Sequence, residues 1–276
     1  MSSHVGKWRL CFGAIAFAAL LPAEVHAQTE VSFPTARWSG SDNVMLKAEL
    51  HRPSGPGPFP SVILLHGCGG IVAGDRGWAK LISAWGYVAL AIDSYSTRGY
   101  PKGTCENTRM VSGSLRSGDV VGAKFWLDAQ PYAVRDRASV VGWSHGGGTV
   151  MIGVNEQAHW YKYGIRSAVA FYPQCPNGID NRPILPTLIL IGEKDSWVPA
   201  SRCRTWAAEA ARPDLVTTVF YPNAYHAFDQ PLQKTIFMQG WTEGGVVKTH
   251  RLEADREARQ DAQQRVRGFL LRTIGP

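Results

Sequence analysis

Ser139-Val140-Val141-Gly142-Trp143-Ser144-His145-Gly146-Gly147-Gly148-Thr149-Val150-Met151 is the stretch that decides the fold. Its first part, residues 139–143, is short and largely apolar, as a strand buried on both faces should be. Its last part, residues 147–155, reads as a helix. Between them stands Gly-x-Ser-x-Gly. A serine on so sharp a turn needs small neighbours, and the turn lifts its hydroxyl above the sheet at the positive end of a helix. Gly-x-Ser-x-Gly alone is a weak signal, because structural glycine turns are common. The strand-turn-helix setting makes Ser144 a candidate nucleophile.

The same alternation continues outward. Residues 61–65, 87–92, 168–172, 187–191 and 217–221 read as further strands, and residues 44–50 as an edge strand. Residues 78–85, 115–129, 205–211 and 251–272 read as helices. Strands alternating with helices predict a mostly parallel, doubly wound α/β sheet flanked by helices. In such sheets the ligand site lies beyond the carboxyl ends of the strands, so the residues that follow each strand carry the chemistry.

A serine hydroxyl is a poor nucleophile until a base takes its proton. Asn223-Ala224-Tyr225-His226-Ala227-Phe228 follows the last predicted strand and supplies His226. Ile191-Gly192-Glu193-Lys194-Asp195 follows another and supplies Asp195, with Glu193 as its competitor. The chain order Ser144, Asp195, His226 is the one this architecture uses. Two backbone donors should face the developing oxyanion. One is the N–H of His145. The other comes from His66-Gly67-Cys68-Gly69-Gly70, with Cys68 first and Gly69 second; the glycines let that backbone come close. Cys68 itself is a rival nucleophile, without an elbow around it. The pocket should draw on residues 93–112, 173–186 and 228–247, with Trp143, Tyr172 and Trp197 as candidate walls.

Residues 1–27 read as a secretory signal peptide. Lys7 and Arg9 precede a run of about a dozen apolar residues that Pro22 breaks, and Val25-His26-Ala27 is a small-x-small cleavage site. A bilayer span needs about 20 apolar residues, so a membrane anchor is not expected. Residues 28–276 then form a single domain, exported to the periplasm or the medium. The net charge of +7 is scattered, and the densest basic group, near the C-terminus, is interleaved with Glu253, Asp255, Glu257 and Asp261. That pattern is a solvated helix face rather than a nucleic-acid stripe. No metal-ligand spacing or dinucleotide fingerprint occurs, so neither metal nor cofactor is expected. Four cysteines follow the leader: Cys68, Cys105, Cys175 and Cys203. An even number in an exported chain suggests disulfides, and four allow three pairings.

From Val44 to Phe269 the chain resembles the dienelactone hydrolase family of the α/β-hydrolase superfamily. The resemblance rests on Leu50-His51-Arg52-Pro53, Pro60 with the strand into His66-Gly67, the Gly142-to-Gly146 elbow, Gly192-Glu193-Lys194-Asp195, His226-Ala227-Phe228 and the terminal Phe269-Leu270. It implies the α/β-hydrolase fold, with about eight strands. It also implies neighbouring strands that bring Cys68 to Cys105 and Cys175 to Cys203. Two departures stand out. The family's name-giving enzymes have Cys where this chain has Ser144. They also carry a Glu, absent here, after the strand that leads into His66-Gly67, where it serves the thiol. The glycine run after the elbow also looks like that of cutinase-like polyester hydrolases.

These residues together predict a serine hydrolase that cleaves a small carboxylic ester or lactone through an acyl-enzyme. The same triad would serve a peptidase, an amidase or a polyester hydrolase. The reading from another class is a binding protein on an inactive hydrolase scaffold. Composition and spacing leave the oligomeric state open.

Overall fold

The computed structural model describes residues 28–36, 44–176, 181–241 and 246–275. The signal-peptide expectation falls on residues outside these. The chain forms one eight-stranded sheet and a separate hairpin. In chain order the sheet comprises β1 (Thr29–Pro34), β2 (Met45–His51), β3 (Phe59–Leu65), β4 (Val88–Asp93), β5 (Ala133–Trp143), β6 (Ile165–Phe171), β7 (Thr187–Gly192) and β8 (Val216–Tyr221). Its spatial order is β1-β2-β4-β3-β5-β6-β7-β8. β1 pairs antiparallel with β2 and β2 antiparallel with β4, while β4-β3-β5-β6-β7-β8 are parallel. The hairpin pairs β9 (Ile236–Trp241) with β10 (Val247–Leu252).

Residues of β3, β4, β6 and β7, and of β5 from Ala138 onward, are almost wholly buried, as parallel strands covered on both faces must be. α1 (Ala73–Ala84) packs on β4, and α2 (Gly113–Asp128) packs with α3 (His145–Gly153) against β5. α4 (Ala200–Ala208) lies on β8, and α5 (Arg256–Ile274) covers β5 to β7.

Four expectations need correction. Residues 44–50 do form a strand, β2, but β1 lies outside it and takes the edge. β1 is short and mostly exposed, so no apolar run marks it. Residues 236–252 fold as the hairpin β9–β10, so Arg251 and Leu252 belong to β10, not to the terminal helix. That helix starts at Arg256 and is capped by Asp255, whose carboxylate accepts from the Ala258 N–H at 3.0 Å. Helix α4 begins after Pro199 and ends at Ala208, earlier than residues 205–211, and α1 begins at Ala73 rather than residue 78. For α1, α4 and α5 the apolar periodicity found the helix but not its first residue.

Candidate active site

The turn after β5 places Ser144 at φ 52°, ψ −112°, a conformation a non-glycine residue adopts only under constraint from its surroundings. Here the constraint is packing. A Cβ on Gly142 would stand 2.3 Å from the Gly146 carbonyl oxygen, and one on Gly146 would stand 2.2 Å from that of Leu65. Glycine at both positions lets the elbow close against itself and against β3. The Ser144 N–H donates to Phe171 O at 2.9 Å, fixing the serine to the end of β6.

The turn after β8 brings His226 to the same point. Its Nε2 lies 3.1 Å from Ser144 Oγ, and its Nδ1 lies 2.7 Å from Asp195 Oδ2. Asp195 is buried after β7. Its other oxygen accepts from the backbone N–H groups of Trp197 (2.8 Å) and Val198 (2.9 Å), so the carboxylate cannot rotate freely. Glu193, the competitor, points outward to Arg204 at 2.5 Å. The hairpin holds the histidine turn from behind: Glu253 N–H donates to His226 O and Asp255 N–H to Phe228 O. The Trp197 ring lies 5.0 Å from the imidazole of His226 and stacks at 4.8 Å on His250, in β10.

The backbone at Gly67 passes close to the serine: a Cβ there would lie 3.6 Å from Ser144 Cβ. Cys68, Ser144 and His145 line a common cavity of about 570 Å³. Cys68 is bonded to Cys105, which makes it no nucleophile, and its carbonyl accepts from Thr104 N–H at 2.7 Å. Gly103, at φ +86°, is what allows that contact, since a Cβ there would meet Cys68 O at 2.4 Å. The second disulfide joins Cys175 to Cys203. Gly69, the alternative to Cys68, lines a separate depression with Asp93 and Tyr100, because the pinned chain turns away after Cys68.

Of the three candidate walls, Trp197 lines the cavity. Trp143 and Tyr172 do not; both are buried, at 2% exposure. Their polar ends turn inward to a partner that no sequence motif marks. Asp229, three residues after His226 and 1% exposed, accepts from Trp78 Nε1 (2.7 Å) and Trp143 Nε1 (2.8 Å) on one oxygen and from Tyr172 Oη (2.7 Å) on the other. The Tyr172 ring in turn lies 4.5 Å from the imidazole of His226. Burial pushes the Asp229 carboxyl up, against the pull of these three donors. Asp75, buried at the start of α1, is pushed up to about 7 by burial and by the nearby Asp229 charge.

On the other side of Ser144 the sequence also gave no sign of Arg116. This wholly buried guanidinium donates to His66 O at 2.7 Å and lies 3.2 Å from His145 Nδ1. His66 is pushed down to about 3 by burial and by Arg116. It is therefore neutral, and its Nε2 accepts from Ser94 N–H at 3.1 Å. Among the described residues no cluster of His, Cys, Asp and Glu could hold a metal ion.

Chemically, a hydroxyl, an imidazole and a buried carboxylate in series can ionise the hydroxyl and store the proton on the imidazole. The amide of His145, first in α3, has no acceptor within its own helix, and the residue lines the same cavity as Ser144.

The sequence matches the model of the dienelactone hydrolase family over residues 46–274. No curated protein matches it significantly. Among solved structures it is similar to a putative dienelactone hydrolase from Klebsiella pneumoniae, at TM-score 0.67 and 18% identity over 88% of this chain and 98% of that one. An esterase from Pyrococcus furiosus gives TM-score 0.63 and 18% identity, over 90% and 94% of the two chains. Esterase 2 of Thermogutta terrifontis, solved phosphoramylated by tabun, gives 0.60 and 16%, over 94% and 97%.

Proposed function

The chain belongs to the dienelactone hydrolase family, and from that premise we propose that it is a serine esterase. It hydrolyses a small carboxylic ester or lactone through an acyl-enzyme. Ser144 attacks the carbonyl carbon while His226 Nε2 takes its proton. Asp195 holds the imidazole with Nδ1–H turned inward and stabilises the imidazolium. The His145 and Cys68 N–H groups receive the oxyanion. When the tetrahedral intermediate collapses, His226 returns the proton to the leaving alcohol. Water then repeats the sequence on the acyl-Ser144 ester.

The observation that carries this reading is the unbroken chain from Ser144 Oγ through His226 to Asp195, at 3.1 and 2.7 Å. The cavity of about 570 Å³ suits a small ligand. Purified protein should turn over a short-chain p-nitrophenyl ester, and Ser144→Ala should lose that activity by several orders of magnitude; removal of a triad serine elsewhere costs about 10⁶-fold in kcat. A fluorophosphonate should label Ser144. Labelling elsewhere, or an active Ala variant, overturns the assignment.

We propose further that residues 28–276 act as one exported domain after loss of residues 1–27. Two disulfides support that reading, because such bonds persist in oxidising compartments.

A further inference from the structure

His145 contributes a backbone amide to the proposed oxyanion site, but its side chain has been left without a task. Its ring lines the cavity beside Ser144. Nδ1 lies 2.6 Å from Tyr95 Oη and 3.2 Å from Arg116 Nη1. A guanidinium can only donate. Nδ1 must therefore present its lone pair, and the ring proton sits on Nε2. Burial, and then the Arg116 charge, hold the imidazole neutral, well below its ordinary titration range. The support is rigid. Arg116 is wholly buried and tied to His66 O, and Tyr95 is 1% exposed and lies against the His145 ring. Among the described residues, every polar contact of the His145 side chain is made by Nδ1. The Nε2–H edge is left for whatever enters the cavity.

The topology tells which part of a substrate that is. Ser144 follows β5. The residues that hold His145 come from one side of β5 in the sheet: His66 after β3, Tyr95 after β4, and Arg116 in α2, which packs with α3. Asp195 and His226 come from the other side, after β7 and β8. His226 gives its proton to the leaving alcohol, so the alcohol lies on the β7–β8 side and the acyl chain extends towards His145.

We propose that His145 is a specificity-determining residue whose Nε2–H donates a hydrogen bond to an oxygen in the acyl chain, close to the carbonyl that Ser144 attacks. The preferred substrates are esters with an ether, hydroxyl or carbonyl oxygen at that place. This rests on the serine-esterase reading. A neutral donor suits a neutral acceptor, and one such bond is worth about three- to tenfold in selectivity, from its net 0.5–1.5 kcal/mol.

The test uses two esters of equal acyl length, p-nitrophenyl methoxyacetate and p-nitrophenyl butyrate, which differ by an oxygen in place of a methylene. The readout is the ratio of their kcat/KM values, so the intrinsic reactivity of each ester cancels between variants. In His145→Leu the ratio should fall roughly three- to tenfold relative to the wild type. In His145→Gln, whose side-chain amide can still donate, it should recover at least in part. A ratio unchanged in His145→Leu overturns the inference. An independent readout needs no variant: ¹⁵N NMR of histidine-labelled wild-type protein should show His145 as the Nε2–H tautomer at pH 7, and an Nδ1–H tautomer overturns the inference even if the Leu variant fails to fold. Should the wild type hydrolyse neither ester, the esterase reading falls and this inference with it. Turnover of both by the wild type with an indifferent ratio in the variant removes only this inference.

Discussion

Two histidines flank Ser144, and the residue that meets Nδ1 gives them opposite characters. In His226, Nδ1 faces the Asp195 carboxylate at 2.7 Å, so it carries the proton and Nε2 is an acceptor 3.1 Å from the serine. In His145, Nδ1 faces the Arg116 guanidinium and the Tyr95 hydroxyl, so it is the acceptor and Nε2 carries the proton. An anion behind a ring makes a base that tolerates becoming a cation. A cation behind a ring makes a neutral donor that resists it. In the proposed mechanism the same side chain becomes a proton store on one side of the nucleophile and a fixed dipole on the other.

Breaking the His226 half should have the largest effect. Asp195→Asn preserves size and the contacts with the Trp197 and Val198 amides, yet presents an amide that can favour the wrong imidazole tautomer. Loss of about 10⁴-fold in kcat is expected, as in serine proteases with the equivalent change. Steady-state turnover of p-nitrophenyl butyrate, beside a circular-dichroism melt showing intact fold, measures it. A loss below tenfold would show that the carboxylate is not what orients His226.

The disulfides sharpen the comparison, because one lies on each side. Cys68–Cys105 pins the loop that carries a proposed oxyanion donor, and Cys175–Cys203 ties the segment after β6 to α4, beyond Asp195. Their loops span 37 and 28 residues, so the chain-entropy model gives about 3–4 kcal/mol for each. Stability should therefore fall by similar amounts when either pair is replaced by serines. Turnover should not. The Cys68/Cys105 variant should lose about ten- to a hundredfold in kcat, the scale of a misplaced oxyanion donor, while the Cys175/Cys203 variant loses far less. Urea melts and kcat on the four-cysteine and two-cysteine proteins decide it. Equal losses of kcat would mean that the loop at Cys68 is held by packing alone.

Asp229 sits beneath both halves. It joins Trp143, the neighbour of Ser144, to Tyr172, whose ring supports His226. Tyr172 adopts φ +36°, a conformation its buried hydrogen bond helps to maintain. Tyr172→Phe removes one of four side-chain donors from a buried carboxylate, and a loss of about 1–3 kcal/mol in urea unfolding is expected. No change in stability would mean that another donor replaces the hydroxyl.

The parallel strands and the order Ser144, Asp195, His226 were legible because each follows from local pattern: apolar runs, a glycine elbow, and polar residues just past strand ends. Asp229 and Arg116 were not. Each is an ordinary charged residue in a helix or turn, made special by partners 29 to 151 residues away. Trp143 and Tyr172 were assigned to the wall for the same reason: without Asp229 in view, nothing tells that an indole or a phenol has a buried acceptor to seek. The hairpin was missed because β9 and β10 are largely exposed and carry no continuous apolar run. Leu252 at helical spacing from Ala258 and Ala262 drew the terminal helix backwards into β10.

The smallest expected effect tests the two histidines together. In the proposed mechanism one base, His226, serves both substrates, so any loss of kcat/KM that arises at the triad between pH 8 and pH 5 should strike the methoxyacetate and the butyrate esters equally. His145 should not add to it. Its surroundings hold it neutral: burial first, then Arg116 and His66, with only the uncharged Tyr95 hydroxyl beside them. His66 is itself neutral over this range, so no group against the His145 ring changes charge between pH 8 and pH 5. The two rates should therefore keep step, and the methoxyacetate-to-butyrate ratio should stay constant within a factor of about 1.5, far less than the three- to tenfold worth of one hydrogen bond. A ratio that drifts across this range would mean that His145 gains its second proton within it. The Arg116 guanidinium would then not set the character of its ring, and the contrast between the two sides of Ser144 would be one of position alone.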